Sequence, residues 1–424
     1  MILDEIIADQ KRGEIRGIPS ICSAHPTVLC ASLLQAKKNN TSVLIESTCN
    51  QVNQFGGYTG MKPVDFVCFI GEIADGLSFP RERLILGGDH LGPEVWQNEN
   101  AEDAMRKACR LVEDYVGAGY LKIHLDASMK LGGDPDGPLL KEVSASRSAD
   151  LAQAAEDAYA KRGFGDAPRY VIGTEVPVPG GAREVEDHVQ VTEVSDAAET
   201  IEMTRQAFLS RGLESAWDRV IALVVQPGVE FGNDFILGYD RKAASGLSQY
   251  IEMETLVYEA HSTDYQAPDA LRQMVADHFA VLKVGPALTY AYREAIYALA
   301  MVEDALFSPE ERSNLIEVLD QAMLRVPVHW RKYYPGDPRA QRFARQYSLS
   351  DRSRYYWTAP AVRAALEKLT QNLKANPLPL SLISQFAPEQ YKRIRFGQLV
   401  NHPEEIILDR ITEVLRDYRM ATQP

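Results

Sequence analysis

The sequence predicts an α/β protein of the closed (β/α)8, or TIM, barrel class, followed by a C-terminal helical extension. Three observations predict it. Eight short, β-branched apolar runs lie between residues 17 and 290, segments of helical periodicity separate them, and polar residues stand at the end of nearly every run. Continuous rather than alternating apolar runs suit parallel strands that are buried on both faces. No G-x-G-x-x-G follows the first run, which argues against an open dinucleotide-binding sheet.

Taken in order, the runs are Ile18–Ser23, Ser42–Ser47, Leu84–Gly88, Leu121–Leu125, Tyr170–Thr174, Val220–Val225, Leu256–Ala260 and Ala280–Val284. Helical periodicity between them is clearest in Ala101–Tyr115, Ala197–Leu209, Ala267–His278 and Thr289–Leu306. The barrel is expected to occupy residues 1–306. Residues 307–424 carry helical stretches at Pro309–Leu324, Ala359–Asn372 and Pro403–Tyr418, separated by aromatic and basic loops, and are expected to fold back onto the barrel.

Composition narrows the function classes. A formal net charge of −14 disfavours non-specific binding to nucleic acid or to anionic membranes, which need basic surfaces. The start of the chain is acidic and lacks an apolar signal core, and Val220–Val225 is far too short to cross a bilayer, so a cytoplasmic location is expected. Cys22, Cys30, Cys49, Cys68 and Cys109 form no C-x-x-C pair and are expected as reduced thiols, Cys22 and Cys49 as small buried fillers. Nothing in the sequence specifies an oligomeric state; a homo-oligomer is compatible with it.

The chemistry lies where the runs end. They lead into Ser23-Ala24-His25, Glu46-Ser47-Thr48-Cys49-Asn50, Gly87-Gly88-Asp89-His90, His124-Leu125-Asp126, Thr174-Glu175, Gln226, Glu259-Ala260-His261-Ser262-Thr263-Asp264 and Lys283-Val284-Gly285. In a barrel these ends share one rim, where active sites of this class are built. His90 and His261, with Glu175 and a neutral oxygen from Gln226, are candidate ligands for a divalent ion; Zn²⁺, Mn²⁺, Co²⁺ and Ni²⁺ all suit such a set. Asp89, Asp126 and Asp264 are the acid–base candidates, Asp126 being equally well a buried acceptor for backbone donors. The period of two turns His124 and Asp126 to one face, toward the barrel mouth. Lys283 is expected as a cation that pairs with a carboxylate or with substrate oxygens, or as a Schiff-base lysine. His25, Glu46, Asn50 and His124 complete a substrate-binding rim. Ser262, Gly285 and Thr289, beside the start of a helix, form a candidate phosphate edge. The glycine-rich stretch from Asn53 to Gly60 is expected to cover the substrate. In the extension, Arg352 and Arg354 lie among aromatics and suit either a distal phosphate or attachment to the acidic barrel.

These segments together resemble the GatZ/KbaZ family, known as the non-catalytic subunit of class II tagatose-bisphosphate aldolase. The resemblance covers essentially the whole chain. It rests on Cys22-Ser23-Ala24-His25-Pro26, Asn50-Gln51-Val52-Asn53-Gln54, Gly87-Gly88-Asp89-His90-Leu91-Gly92-Pro93, His124-Leu125-Asp126-Ala127-Ser128, Gly173-Thr174-Glu175-Val176-Pro177, Val225-Gln226-Pro227-Gly228, Glu259-Ala260-His261-Ser262-Thr263-Asp264 and Leu282-Lys283-Val284-Gly285-Pro286. Members of the family carry the labels tagatose-6-phosphate kinase, aldolase subunit and hexulose-phosphate 4-epimerase.

A more distant likeness to catalytic class II aldolases implies that Asp89 carries a proton, that His90 and His261 are metal ligands and that the segment after His261 contacts phosphate. Gln226 departs from that pattern, where those aldolases have a further histidine, and Ser262-Thr263-Asp264 replaces their glycines. The kinase label finds no Walker A motif. The expectation drawn from the resemblance is a metal-dependent 4-epimerase that interconverts fructose 6-phosphate and tagatose 6-phosphate by breaking and remaking C3–C4. In that scheme Asp126 and Asp264 would serve opposite faces. The alternative is a stabilising partner of a catalytic class II aldolase subunit. A phosphorylated ketohexose is the expected ligand in the first reading.

Overall fold

In this computed structural model, residues 1–173, 189–374 and 377–423 are described. Eight parallel strands close into the expected barrel: β1 (Ile18–Cys22), β2 (Val43–Thr48), β3 (Leu84–Leu91), β4 (Lys122–Leu125), β5 (Arg169–Ile172), β6 (Val220–Val225), β7 (Val257–Ala260) and β8 (Phe279–Val284). Each pairs with its sequence neighbours, and β8 returns to β1 through Ile18 opposite Val281 and Ile21 opposite Val284. Helices follow the strands and surround them, as the alternating pattern requires. A short antiparallel pair, Glu230–Phe231 with Ile236–Leu237, decorates the loop after β6.

Strand periodicity of two decides what fills the barrel. Toward the strand starts the interior is apolar: Ile18, Leu44, Ile85, Val171, Ala222, Val257 and Val281 form one buried cluster. Leu3 and Ile6 of the helix Ile2–Lys11 insert into the same cluster and plug this end. That helix is absent from the sequence expectation; its signal is the Leu3/Ile6 spacing, too short a stripe to separate from a polar N-terminus. Two residues further along the strands, the interior becomes ionic, with Glu46, Lys122, Glu259 and Lys283 at or below 5 % exposure.

β3 runs beyond the expected Gly88 to Leu91, with a register irregularity against β4 between Gly88 and Leu91. His90 sits inside this bulge at φ 48°, a left-handed conformation that a histidine adopts only where its surroundings enforce it. Bulges re-aim side chains beside functional sites. Here the bulge turns His90 toward Asp126.

The helices after Leu306 share the barrel's hydrophobic cluster; Leu315, Trp330, Ile383, Ile411 and Leu415 are all part of it. The last helix, Pro403–Thr422, packs against the helices Pro26–Asn39, Pro268–Ala276 and Pro286–Leu306. Tyr418 Oη donates to the carbonyl of Thr263 at 2.8 Å, and Gly17 N–H donates to the carbonyl of Thr422 at 2.8 Å. Among the described residues no helix is long and apolar enough to cross a membrane.

Candidate functional site at the barrel mouth

The base of the site is the ionic layer. Lys122 Nζ lies 2.6 Å from Glu46 Oε1 and 2.6 Å from Glu259 Oε2, and all three side chains are completely buried. Lys283 Nζ contacts Glu46 and lies 2.7 Å from Asp89 Oδ1 and 3.3 Å from Glu259 Oε1. These contacts join β2, β3, β4, β7 and β8, so they run through the barrel interior. Gly87 is required beside them, because a Cβ there would stand 2.6 Å from Glu46 Oε1. Burial pulls the Lys283 ammonium toward neutrality, but the carboxylates, Asp89 foremost, hold its pKa well above the usual value. For Glu259 burial pushes upward and Lys122 and Lys283 outweigh it, so it stays ionised.

Directly above it, three imidazoles converge. The ring of His90 is 5.2 Å from His124 and 4.9 Å from His261, and His124 is 5.3 Å from His261. One ligand atom from each of Asp89, His124, Glu259 and His261 lies within 4.8 Å of all the others, a set fit for a divalent ion. His124 Nδ1 is 3.0 Å from Asp89 Oδ1 and accepts from the His90 N–H at 3.3 Å. His124 Nε2 is buried without a hydrogen-bond partner among the described residues. A carboxylate-held imidazole with a free inner nitrogen is the arrangement found behind metal-binding histidines. His261 Nε2 lies 3.1 Å from Glu259 Oε1, and burial drives its pKa down to about 3, leaving it neutral as a ligand must be.

His90 is placed differently. Its Nδ1 is 2.8 Å from Asp126 Oδ2, and its Nε2 3.8 Å from Asp89 Oδ2. Burial opposes its charge, but Asp89 and Asp126 prevail and raise its pKa to about 9. Asp126 likewise resists burial through the hydrogen bond from His90 and stays below the carboxylate range; its Oδ1 accepts from Ser128 Oγ at 2.7 Å. His90 and Asp126 thus form an ion pair beside the four-residue cluster.

The remaining rim residues are spread more widely. Asp264 Oδ1 accepts from the N–H groups of Gly285 at 3.0 Å and Ala287 at 2.8 Å, so this carboxylate occupies the helix start expected to hold phosphate. Burial exceeds the help of those bonds and lifts Asp264 to about 6. Thr289 Oγ1 donates back to the Pro286 carbonyl at 3.2 Å, and Ser262 is strained at φ 54°. Gln226 stands outside the cluster, its Oε1 accepting from Gly228 N–H at 2.8 Å. His25 caps the helix Pro26–Asn39 against Tyr292, ring to ring at 4.2 Å, and burial lowers it to about 4. Asn50 Nδ2 donates to Glu94 Oε2 at 3.1 Å. Glu46 lies in the ionic layer and Arg352 beneath Tyr333. Glu175 lies outside the described residues.

Sequence reasoning passed over Lys122, Glu259 and Glu94 as site residues. Lys122 and Glu259 each precede a histidine by two, and the period that turns His124 and His261 inward also turns them inward. Cys22, expected as a filler, has its Sγ 3.6 Å from Asp89 Oδ2. All five cysteines are free. A cavity of about 470 Å³ opens at the opposite end, between the strand starts and Leu415, but no unpartnered buried polar atom lines it. Several such atoms among the described residues lie at the mouth instead, on His25, His124 and Arg352.

The chain can be set beside known proteins. The sequence pattern described as D-tagatose-1,6-bisphosphate aldolase subunit GatZ/KbaZ-like matches residues 3–423. A Salmonella paratyphi B protein named D-tagatose-1,6-bisphosphate aldolase subunit GatZ is 53% identical over 422 residues, covering 100% of this chain and 99% of the relative. A protein of the same name from Salmonella dublin is 52% identical over 425 residues, with the same coverage. The crystal structure of a probable tagatose 6 phosphate kinase from Sinorhizobium meliloti 1021 superposes with a TM-score of 0.88 at 47% identity, covering 96% of this chain and 100% of the other. The 4-epimerase expectation is corrected by these relatives: the curated ones are named as aldolase subunits, which favours the alternative of an aldolase partner. A pattern matching nearly the full length, and relatives identical at about half of all positions, establish that this chain belongs to the GatZ/KbaZ-like family.

Proposed function

We propose that this chain is the GatZ-type subunit of a class II D-tagatose-1,6-bisphosphate aldolase, acting beside a separate catalytic subunit. The observation that carries the reading is 53% identity over the whole chain to relatives bearing that name. It acts in the reducing interior of the cell, where five unpaired cysteines are stable.

In this reading the mouth binds a phosphorylated ketose and a divalent ion. Asp89, His124, Glu259 and His261 would hold the ion; two nitrogen and two oxygen donors suit Zn²⁺, Mn²⁺, Co²⁺ or Ni²⁺. When bound, it would polarise a sugar carbonyl as a Lewis acid. Lys122 and Lys283 keep Glu259 ionised, and His90 with Lys283 does the same for Asp89, so both oxygen donors are ready without a proton being lost. Charged His90 holds one proton at Nδ1 against Asp126 and carries the other at Nε2, 3.8 Å from Asp89 Oδ2, where it can be offered to a sugar oxygen. Lys283 holds a fixed positive charge below, which discourages a Schiff-base role because a protonated amine is no nucleophile.

The test is to co-express the chain with a catalytic class II tagatose-bisphosphate aldolase subunit. Co-elution, with a higher cleavage rate or a longer half-life of activity than the catalytic subunit has alone, is the expected result. Separate elution with unchanged rate and half-life would refute the reading.

A further inference from the structure

The segment Ser350–Tyr356 is anchored at almost every polar atom. Ser350 Oγ is 3.1 Å from Asn233 Oδ1, Asp351 Oδ1 accepts from Arg293 Nη1 at 2.9 Å and from Ser353 Oγ at 2.6 Å, and Arg352 N–H donates to Tyr334 Oη at 3.0 Å. Arg354 donates to the carbonyl of Asp351 at 2.9 Å and to Tyr355 Oη at 3.2 Å. Two groups are left out. Asp351 Oδ2 has no hydrogen-bond partner among the described residues, and neither do Nε and Nη2 of Arg352, whose side chain is 3 % exposed.

The Arg352 face is satisfied, because the guanidinium carbon stacks 3.2 Å from the centroid of the Tyr333 ring. The open edge is Nε with Nη2, two parallel N–H donors matched to two oxygens of one tetrahedral or planar anion. A buried, unpaired cation with two unmet donors costs stability unless something meets them. Charge at the spot is also in surplus. Arg293 is paired with Asp351, while among the described residues no carboxylate forms an ion pair with Arg352 or Arg354, in a chain of net charge −14. His329, stacked on Tyr355 at 4.7 Å, is held neutral by burial and by both arginines. The site faces the covering loop, whose Tyr58 meets Tyr355 ring to ring at 4.7 Å.

We propose that the Nε–Nη2 edge of Arg352, supported by Arg354, is a preorganised binding site for the phosphate group of a small phosphorylated ligand. This goes beyond the subunit assignment and is read on the chain alone, so either can fail without the other. The helix start at Gly285, taken by Asp264, is thereby replaced as the phosphate position by a site in the C-terminal extension.

The experiment measures the melting temperature of the full chain against inorganic phosphate, fructose 6-phosphate and, at matched ionic strength, chloride. Phosphate or its ester should raise it in a saturable way and chloride should not. Response to both ligands identifies the phosphate group as sufficient; response to the ester alone identifies the sugar phosphate as the ligand. Arg352→Met should weaken binding by at least about tenfold and leave the ligand-free protein as stable as before or more stable, since it removes an unpaired buried charge. Arg352→Lys, which keeps the charge and loses the fork, should bind more weakly than the parent while folding normally. No shift with either ligand, a shift undiminished in both variants, or a ligand-free Arg352→Met that melts several degrees lower with Arg352→Lys binding as tightly as the parent would each overturn the proposal.

Discussion

Replacing Lys122 by Met tests whether the ionic layer under the mouth holds together as the structure implies. Met keeps the length of the side chain and removes its charge, so Glu46 and Glu259 lose the ammonium group 2.6 Å from each. At an effective dielectric of 20, each such contact is worth roughly 6 kcal/mol before desolvation. Desolvation costs several kcal/mol per ion, so the net loss follows measured broken buried pairs, about 3–5 kcal/mol. Lys283 reaches both carboxylates and softens the loss toward the lower figure. Urea denaturation in the presence of a chelator, with near-ultraviolet circular dichroism as the probe, reads it as a lower midpoint at unchanged slope. The double variant Lys122→Met/Glu46→Gln removes one partner charge with the lysine, leaves Asp89, His124, Glu259 and His261 in place, and should recover roughly 1–3 kcal/mol. A single variant within about 1 kcal/mol of the parent, or a double variant that equals the sum of the singles, would refute the idea that these charges are mutually compensating.

Other consequences can be measured on the same protein. Asp264 has its pKa raised from 3.8 to about 6, so the folded state holds the proton more tightly than the unfolded chain; the stability this contributes is fully present below 3.8 and is lost as pH rises through about 6. The interval amounts to roughly 3 kcal/mol, and Asp264→Asn, whose single carbonyl oxygen can keep both bonds to Gly285 and Ala287, should flatten melting temperature against pH over that window and melt higher at pH 8. His124→Gln should abolish stoichiometric Zn²⁺ uptake measured by calorimetry and elemental analysis, because it removes the free Nε2; unchanged uptake would exclude His124 as a ligand. Ile6→Ala should cost about 2–5 kcal/mol in urea midpoint, since its side chain plugs the closed end of the barrel at 3 % exposure; a neutral result would mean the N-terminal helix is not part of the core.

The barrel was legible because its evidence is local. Eight apolar runs, each followed by a helical stripe, are read along the chain, and the endings Asp89-His90, His124-Leu125-Asp126 and His261 announce a rim without any knowledge of what faces what. The family resemblance was legible for the same reason, since ordered motifs need no coordinates. The GatZ-named relatives then overturned the activity expected from it, a matter that no strand pattern could decide.

What only the tertiary structure decided is which polar groups meet. Sequence reasoning ranked His90 with His261 as ligands; in the structure the bulge in β3 puts His90 against Asp126, and the side chains that gather with His261 are Asp89, His124 and Glu259. Asp264 and Gly285 are 21 residues apart, so the capping that takes the expected phosphate position is invisible along the chain. Lys122 and Lys283, on strands separated by more than a hundred residues of sequence, become one network only when the barrel closes. Closure turns every second residue of eight strands toward a single axis, and it is this convergence, set by the pleat and not by any local propensity, that converts scattered charges into a site.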